Sequence, residues 1–111
     1  MKLAIVGTRT FDDYELMCEC LKNGVFTTIV SGGSQGADKL AERYAQEHDI
    51  NMKVFPADWK QYGPSAGPRR NTQIVEYCDA LLAFWDGKST GTQDSIKKAT
   101  AAGKPVKVVR Y

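Results

Sequence analysis

Thr27-Thr28-Ile29-Val30 runs directly into Ser31-Gly32-Gly33-Ser34-Gln35-Gly36-Ala37-Asp38, and from Ala37 onward apolar residues recur at Leu40, Ala41, Tyr44 and Ala45 before His48 closes the stripe. Four β-branched residues in a row favour a strand. The spacing of three and four that follows favours a helix with one buried face. The glycines between them make a strand-to-helix turn without Cβ atoms, bringing backbone N–H groups and the positive end of a helix dipole to one place. That is the makeup of a phosphate cradle. Glycines are equally needed to make the turn itself, and neither the Walker pattern nor Gly-x-Gly-x-x-Gly is present.

The same alternation extends in both directions. Lys2 to Val6 reads as a first strand, and Asp12 to Lys22 as a helix with Asp12 or Asp13 as its N-cap and Gly24 as its stop. After the central unit, Met52 to Phe55 reads as a third strand. Pro56 to Gly67 reads as a long loop carrying Trp59 and Tyr62. Pro68 suits the first turn of a helix ending near Cys78. Ala80 to Trp85 is a continuous apolar run, as a strand covered on both faces requires, and a helix from Ser89 or Thr90 to Gly103 leads to a last strand at Val106 to Val109. Strands alternating with helices predict an α/β fold: a three-layer, Rossmann-like, doubly wound parallel sheet of strand order 3-2-1-4-5, in a single domain over residues 1–111. In that order the loops after the strands share one rim, with a crevice between strands one and four.

The 111 residues suffice for one core, and a net charge of +2 gives no electrostatic case for wrapping long nucleic acid. No apolar run approaches a membrane span, and Leu3 to Val6 is too short for a signal-peptide core, so a cytoplasmic protein with no membrane partner is expected. Three cysteines, Cys18, Cys20 and Cys78, do not make a disulfide framework. Cys18 and Cys20 would point to different faces of a helix, so no metal and no other cofactor is expected.

On the predicted rim, Gly7, Thr8 and Arg9, then Ser31, Gly32, Gly33 and Gly36, then Arg69, Arg70 and Asn71, then Ser89, Gly91 and Thr92 are the candidate ligand-binding residues. Helix starts offer unpaired N–H donors, and Arg9 with Arg69 or Arg70 offers forked contacts to phosphate. Asp38 suits a ribose hydroxyl, or simply the first turn of its helix. Trp59 is the candidate for stacking on a base, whereas Trp85 reads as packing, and Ser89 or Thr90 as a helix cap.

In this order, Gly7-Thr8-Arg9-x-Phe11, Gly32-Gly33-x-x-Gly36-Ala37-Asp38, Phe55-Pro56-Ala57-Asp58-Trp59, Gly67-Pro68-x-Arg70-Asn71 and Gly91-Thr92 resemble the YspA-type branch of the SLOG superfamily. This Rossmann-like group includes the Smf/DprA proteins and the LOG phosphoribohydrolases. The resemblance implies a pocket for a nucleotide or nucleotide-derived ligand, often in signalling, stress or phage-conflict systems. LOG hydrolases carry a glutamate where this chain has Ser95, and a hydroxyl does not replace a carboxylate in cleaving an N-glycosidic bond. Asp94 is next to it but turned by about 100° on a helix. The leading expectation is therefore a binding protein. The second is a nucleoside-phosphate N-glycosidic hydrolase or transferase using Asp38, Asp58 or Asp86. The third is DprA-like binding of single-stranded DNA, which the balanced charge and the want of an aromatic-basic stripe disfavour, so nucleic acid is not the expected partner. Related folds often pair through helices, which makes a homodimer the expected assembly.

Overall fold

The computed structural model describes residues 1–111. Its strands are β1 (Lys2–Gly7), β2 (Thr28–Ser31), β3 (Asn51–Val54), β4 (Ala80–Trp85) and β5 (Val106–Arg110), all parallel in the order β3-β2-β1-β4-β5. The predicted doubly wound order is the observed one. β1 and β4 lie at the centre in the register Leu3↔Ala80 to Gly7↔Phe84, and each is buried along its middle four residues. The outer strands β3 and β5 are half exposed.

Helices cover both faces: α1 (Tyr14–Leu21) and α2 (Ala37–Glu47) on one, α4 (Ala66–Tyr77) and α5 (Thr90–Ala101) on the other. Successive strand residues point to opposite faces, so β1 sends Ile5 to Met17, Ile29 and Phe84, and sends Ala4 and Val6 to Ile74, Val75 and Ala99. Truncating a fully buried side chain such as Ile5 to alanine costs roughly 2–5 kcal/mol. No helix is long and apolar enough to cross a membrane.

Local chemistry moves some boundaries. Asp13, not Asp12, caps α1, accepting the Leu16 N–H at 3.0 Å. The stretch from Pro56 to Gly67 is not a plain loop: Asp58 accepts the Gln61 N–H at 3.1 Å and starts α3 (Trp59–Tyr62), and a 3-10 turn over Gly63–Ser65 follows. α4 consequently begins at Ala66, with Gly67 and Pro68 inside its first turn, where proline's missing N–H is not needed.

Candidate functional site

At the carboxyl edge of the sheet, where the strand order reverses between β1 and β4, lies a cavity of about 740 Å³. Of the candidates from sequence, Gly7, Thr8, Arg9, Asp38, Trp59, Arg70, Asn71, Asp86, Ser89, Gly91 and Thr92 line it. Ser31, Gly32, Gly33, Gly36, Asp58 and Arg69 do not. Ser34, Pro64, Lys88 and Asp94 line it without having been singled out as site residues.

The glycine loop turns inward. Asp38, 6% exposed, accepts the Ser34 N–H at 3.0 Å, while Gly33 donates to Ser31 Oγ at 3.2 Å. The amides read from sequence as a phosphate cradle thus have acceptors inside the protein. Burial raises the Asp38 pKa to about 6, against the opposing pull of the Ser34 amide, Arg70 and the Gly32 amide.

Two of the loop's glycines also have close neighbours, one a side-chain tip and one backbone. A Cβ on Gly32 would lie 2.3 Å from Arg70 Nη1. A Cβ on Gly36, whose φ is +75°, would lie 2.4 and 2.5 Å from the carbonyl oxygens of Thr8 and Arg9.

A chain of polar contacts forms the floor. Arg70 donates from Nη1 to the Gly32 carbonyl (2.9 Å) and from Nε to Asn71 Oδ1 (3.0 Å). Asn71 Nδ2 donates to the Gly91 carbonyl and to Asp94 Oδ2, both at 3.2 Å, and Asp94 pairs with Lys98 at 2.9 Å. Three segments far apart in sequence are locked to one another, which pre-organises the site. The pair left open by sequence is resolved: Arg70 faces the cavity, while Arg69, about 100° away on the helix, donates to Ser65 Oγ at 3.2 Å and lies over the Tyr62 ring. The same rotation does not remove Asp94 from the cavity, because the wall takes in Thr90, Gly91, Thr92, Asp94 and Ser95 of α5. Ser95, 1% exposed, donates to the Gly91 carbonyl at 3.4 Å.

Asp86 organises the loop after β4. Its Oδ1 accepts the Lys88 and Ser89 N–H groups at 2.8 and 2.9 Å, and these bonds hold its carboxyl below the ordinary range. Its own N–H donates to Thr8 Oγ1 at 3.2 Å, tying this loop to the one after β1. Trp85 Nε1 donates to the Ser89 carbonyl at 3.0 Å, which fits its reading as a packing residue. Ser89 caps α5 by accepting the Thr92 N–H at 3.4 Å, leaving the first-turn amides of Thr90 and Gly91 without intrahelical acceptors at the cavity wall. Asp58, one of the three candidate catalytic carboxylates, is the cap of α3 and stands outside the cavity.

A family description, YAcAr, the YspA, cpYpsA-related SLOG family, matches residues 1–62. The chain belongs to this family. The Gene 61 protein of Mycobacterium phage D29 is 31% identical over 116 aligned positions, covering 95% of this chain and 93% of the phage protein. The family's fold also appears in DNA processing protein A (DprA) of Streptococcus pneumoniae, with a TM-score of 0.78 at 19% identity over 99% of this chain. DprA of Helicobacter pylori gives 0.69 at 24% identity over all of it. This chain spans 50% and 66% of those two proteins' lengths. The Helicobacter protein is described by its single-stranded DNA binding mode, which corrects the expectation that sets nucleic acid aside as a partner: a fold of this family's kind serves it. Beside the cavity the Arg69 guanidinium lies over the Tyr62 ring, three residues along α3 from Trp59.

Proposed function

We propose that the cavity binds a nucleoside mono- or diphosphate or a close derivative. The observation that carries this reading is the meeting of Arg9, Arg70, Lys88 and the α5 first turn on one side of a single pocket with buried Asp38 and exposed Trp59. Phosphate is held by Arg9, Lys88 and the Thr90 and Gly91 amides, with Arg70 fixed beneath. Asp38 accepts from sugar hydroxyls, and Trp59 offers a ring face to the base. Three cations balanced by Asp38, Asp86 and Asp94 favour one or two phosphates over three. The single-stranded DNA binding of Helicobacter DprA supports nucleotide chemistry in this fold, and the phage relative supports a setting in phage biology.

The test is a thermal-shift panel of nucleoside mono-, di- and triphosphates. A ligand at a hundred times its dissociation constant adds roughly 2.7 kcal/mol. Arg9→Ala and Arg70→Ala diminish the shift. No shift with any phosphorylated nucleoside overturns the reading. A second reading, cleavage of an N-glycosidic bond, draws on Asp38, whose pKa of about 6 suits proton transfer near neutral pH. Release of free base from nucleoside monophosphates, lost in Asp38→Asn, is its signature.

A further inference from the structure

Two of the largest exposed apolar side chains stand together at the mouth of the cavity. Trp59 is 52% and Tyr62 40% exposed, and three residues apart on α3 they share a face. Only Trp59 belongs to the cavity wall. The ring of Trp59 lies against the first turn of α4, its Cη2 3.3 Å from where a Cβ on Gly67 would stand, and about half of the residue stays open to solvent.

Tyr62 is braced differently. The Arg69 guanidinium lies over its ring at 4.3 Å, Arg69 Nε donates to Ser65 Oγ at 3.2 Å, and Ser65 Oγ donates to the Tyr62 carbonyl at 2.9 Å. Ser65 and Tyr62 therefore hold the Arg69 guanidinium over an aromatic ring at the exposed rim, with no carboxylate paired to it. A guanidinium fixed this way offers a stacking face and neutralises a neighbouring phosphate.

We propose that Tyr62 and Arg69 form a second base-binding position beside the pocket, so that the site takes a dinucleotide-length ligand, two nucleobases joined through phosphate. This rests on the reading of the pocket as a nucleotide site. The first base stacks on Trp59, the linking phosphate passes Arg69, and the second base lies on the Arg69–Tyr62 stack. The platform has room for two bases: it ends at Tyr62, and the other large exposed apolar residues (Met1, Val25, Tyr77, Val108 and Tyr111) lie outside α3.

Titration calorimetry with each nucleoside monophosphate and the matching 5′-phosphorylated homodinucleotide tests this. The dinucleotide binds about tenfold tighter, the size of one base–aromatic stacking contact. Tyr62→Ala and Arg69→Ala bring it back to mononucleotide affinity, and Tyr62→Phe keeps the advantage. If a mononucleotide binds and its dinucleotide binds no tighter, the second position is overturned while the pocket reading survives. If neither binds, both fall. Affinity that climbs with the length of a longer oligonucleotide and collapses with salt replaces the small ligand by a strand.

Discussion

Replacing Gly36 and Gly32 by alanine separates two reasons for having a glycine in the same turn. At Gly36 the new methyl meets two backbone carbonyl oxygens at 2.4 and 2.5 Å, and φ of +75° with ψ of −125° is a conformation that side-chain-bearing residues avoid. Backbone strain of roughly 1–3 kcal/mol and overpacking of a similar size give a loss of about 2–6 kcal/mol. For a chain of this length that lowers Tm by about 8–24 °C.

At Gly32 the obstacle is the end of a flexible side chain, Arg70 Nη1 at 2.3 Å, with Asp38 Oδ2 next at 3.1 Å. Arg70 swings away and its bond to the Gly32 carbonyl is lost, at a cost of about 1–2 kcal/mol, or about 4–8 °C. In an Arg70→Ala background the same Gly32→Ala change costs almost nothing, because the group it displaces is already gone. Urea and thermal denaturation of the two single variants, Arg70→Ala and the Gly32→Ala/Arg70→Ala pair supply every number. Gly32→Ala as costly as Gly36→Ala, or additive with Arg70→Ala, refutes this account of the loop.

The buried Asp38 carboxyl makes stability fall as pH rises. Between about pH 4 and pH 6 the unfolded chain has lost this proton and the folded one still holds it, so about 2–3 kcal/mol disappears across the window. Asp38→Asn lacks the effect, and urea midpoints of both proteins from pH 3.5 to 7.5 check it; a wild type that gains on the variant over that window contradicts it. Lys104 reaches from the end of α5 to the carbonyls of Val75, Glu76 and Cys78 at the end of α4, so Lys104→Met costs roughly 1–3 kcal/mol in thermal melts, and a change under 0.5 kcal/mol contradicts the capping role.

The site is partly legible in the amino-acid sequence. Arg9, Asp38, Trp59, Ser89, Gly91 and Thr92 sit in loops or helix starts that follow parallel strands, and any such residue gathers at the same edge. The choice between Arg69 and Arg70 was not legible, since both lie in one helical turn and only the packing of α4 against the sheet fixes which points inward. Asp94 is one position of rotation from Ser95, and only the width of the cavity brings both to its wall. By sequence Trp59 and Tyr62 fall in a loop; the cap by Asp58 makes that stretch a helix and sets the two residues three apart on it.

By itself the amino-acid sequence determined the alternation of strands and helices, the order of the sheet and the edge where its loops gather. Those follow from periodicity, chain connectivity and handedness, which are local or topological. Only the tertiary structure decided what each loop does there. It turned the Ser34 and Gly33 amides onto Asp38 and Ser31, set Gly32 beside Arg70 and Gly36 against the β1 loop, and left the open donors at α5. A glycine or an amide carries no mark of its partner, and that partner is fixed only when segments tens of residues apart reach contact.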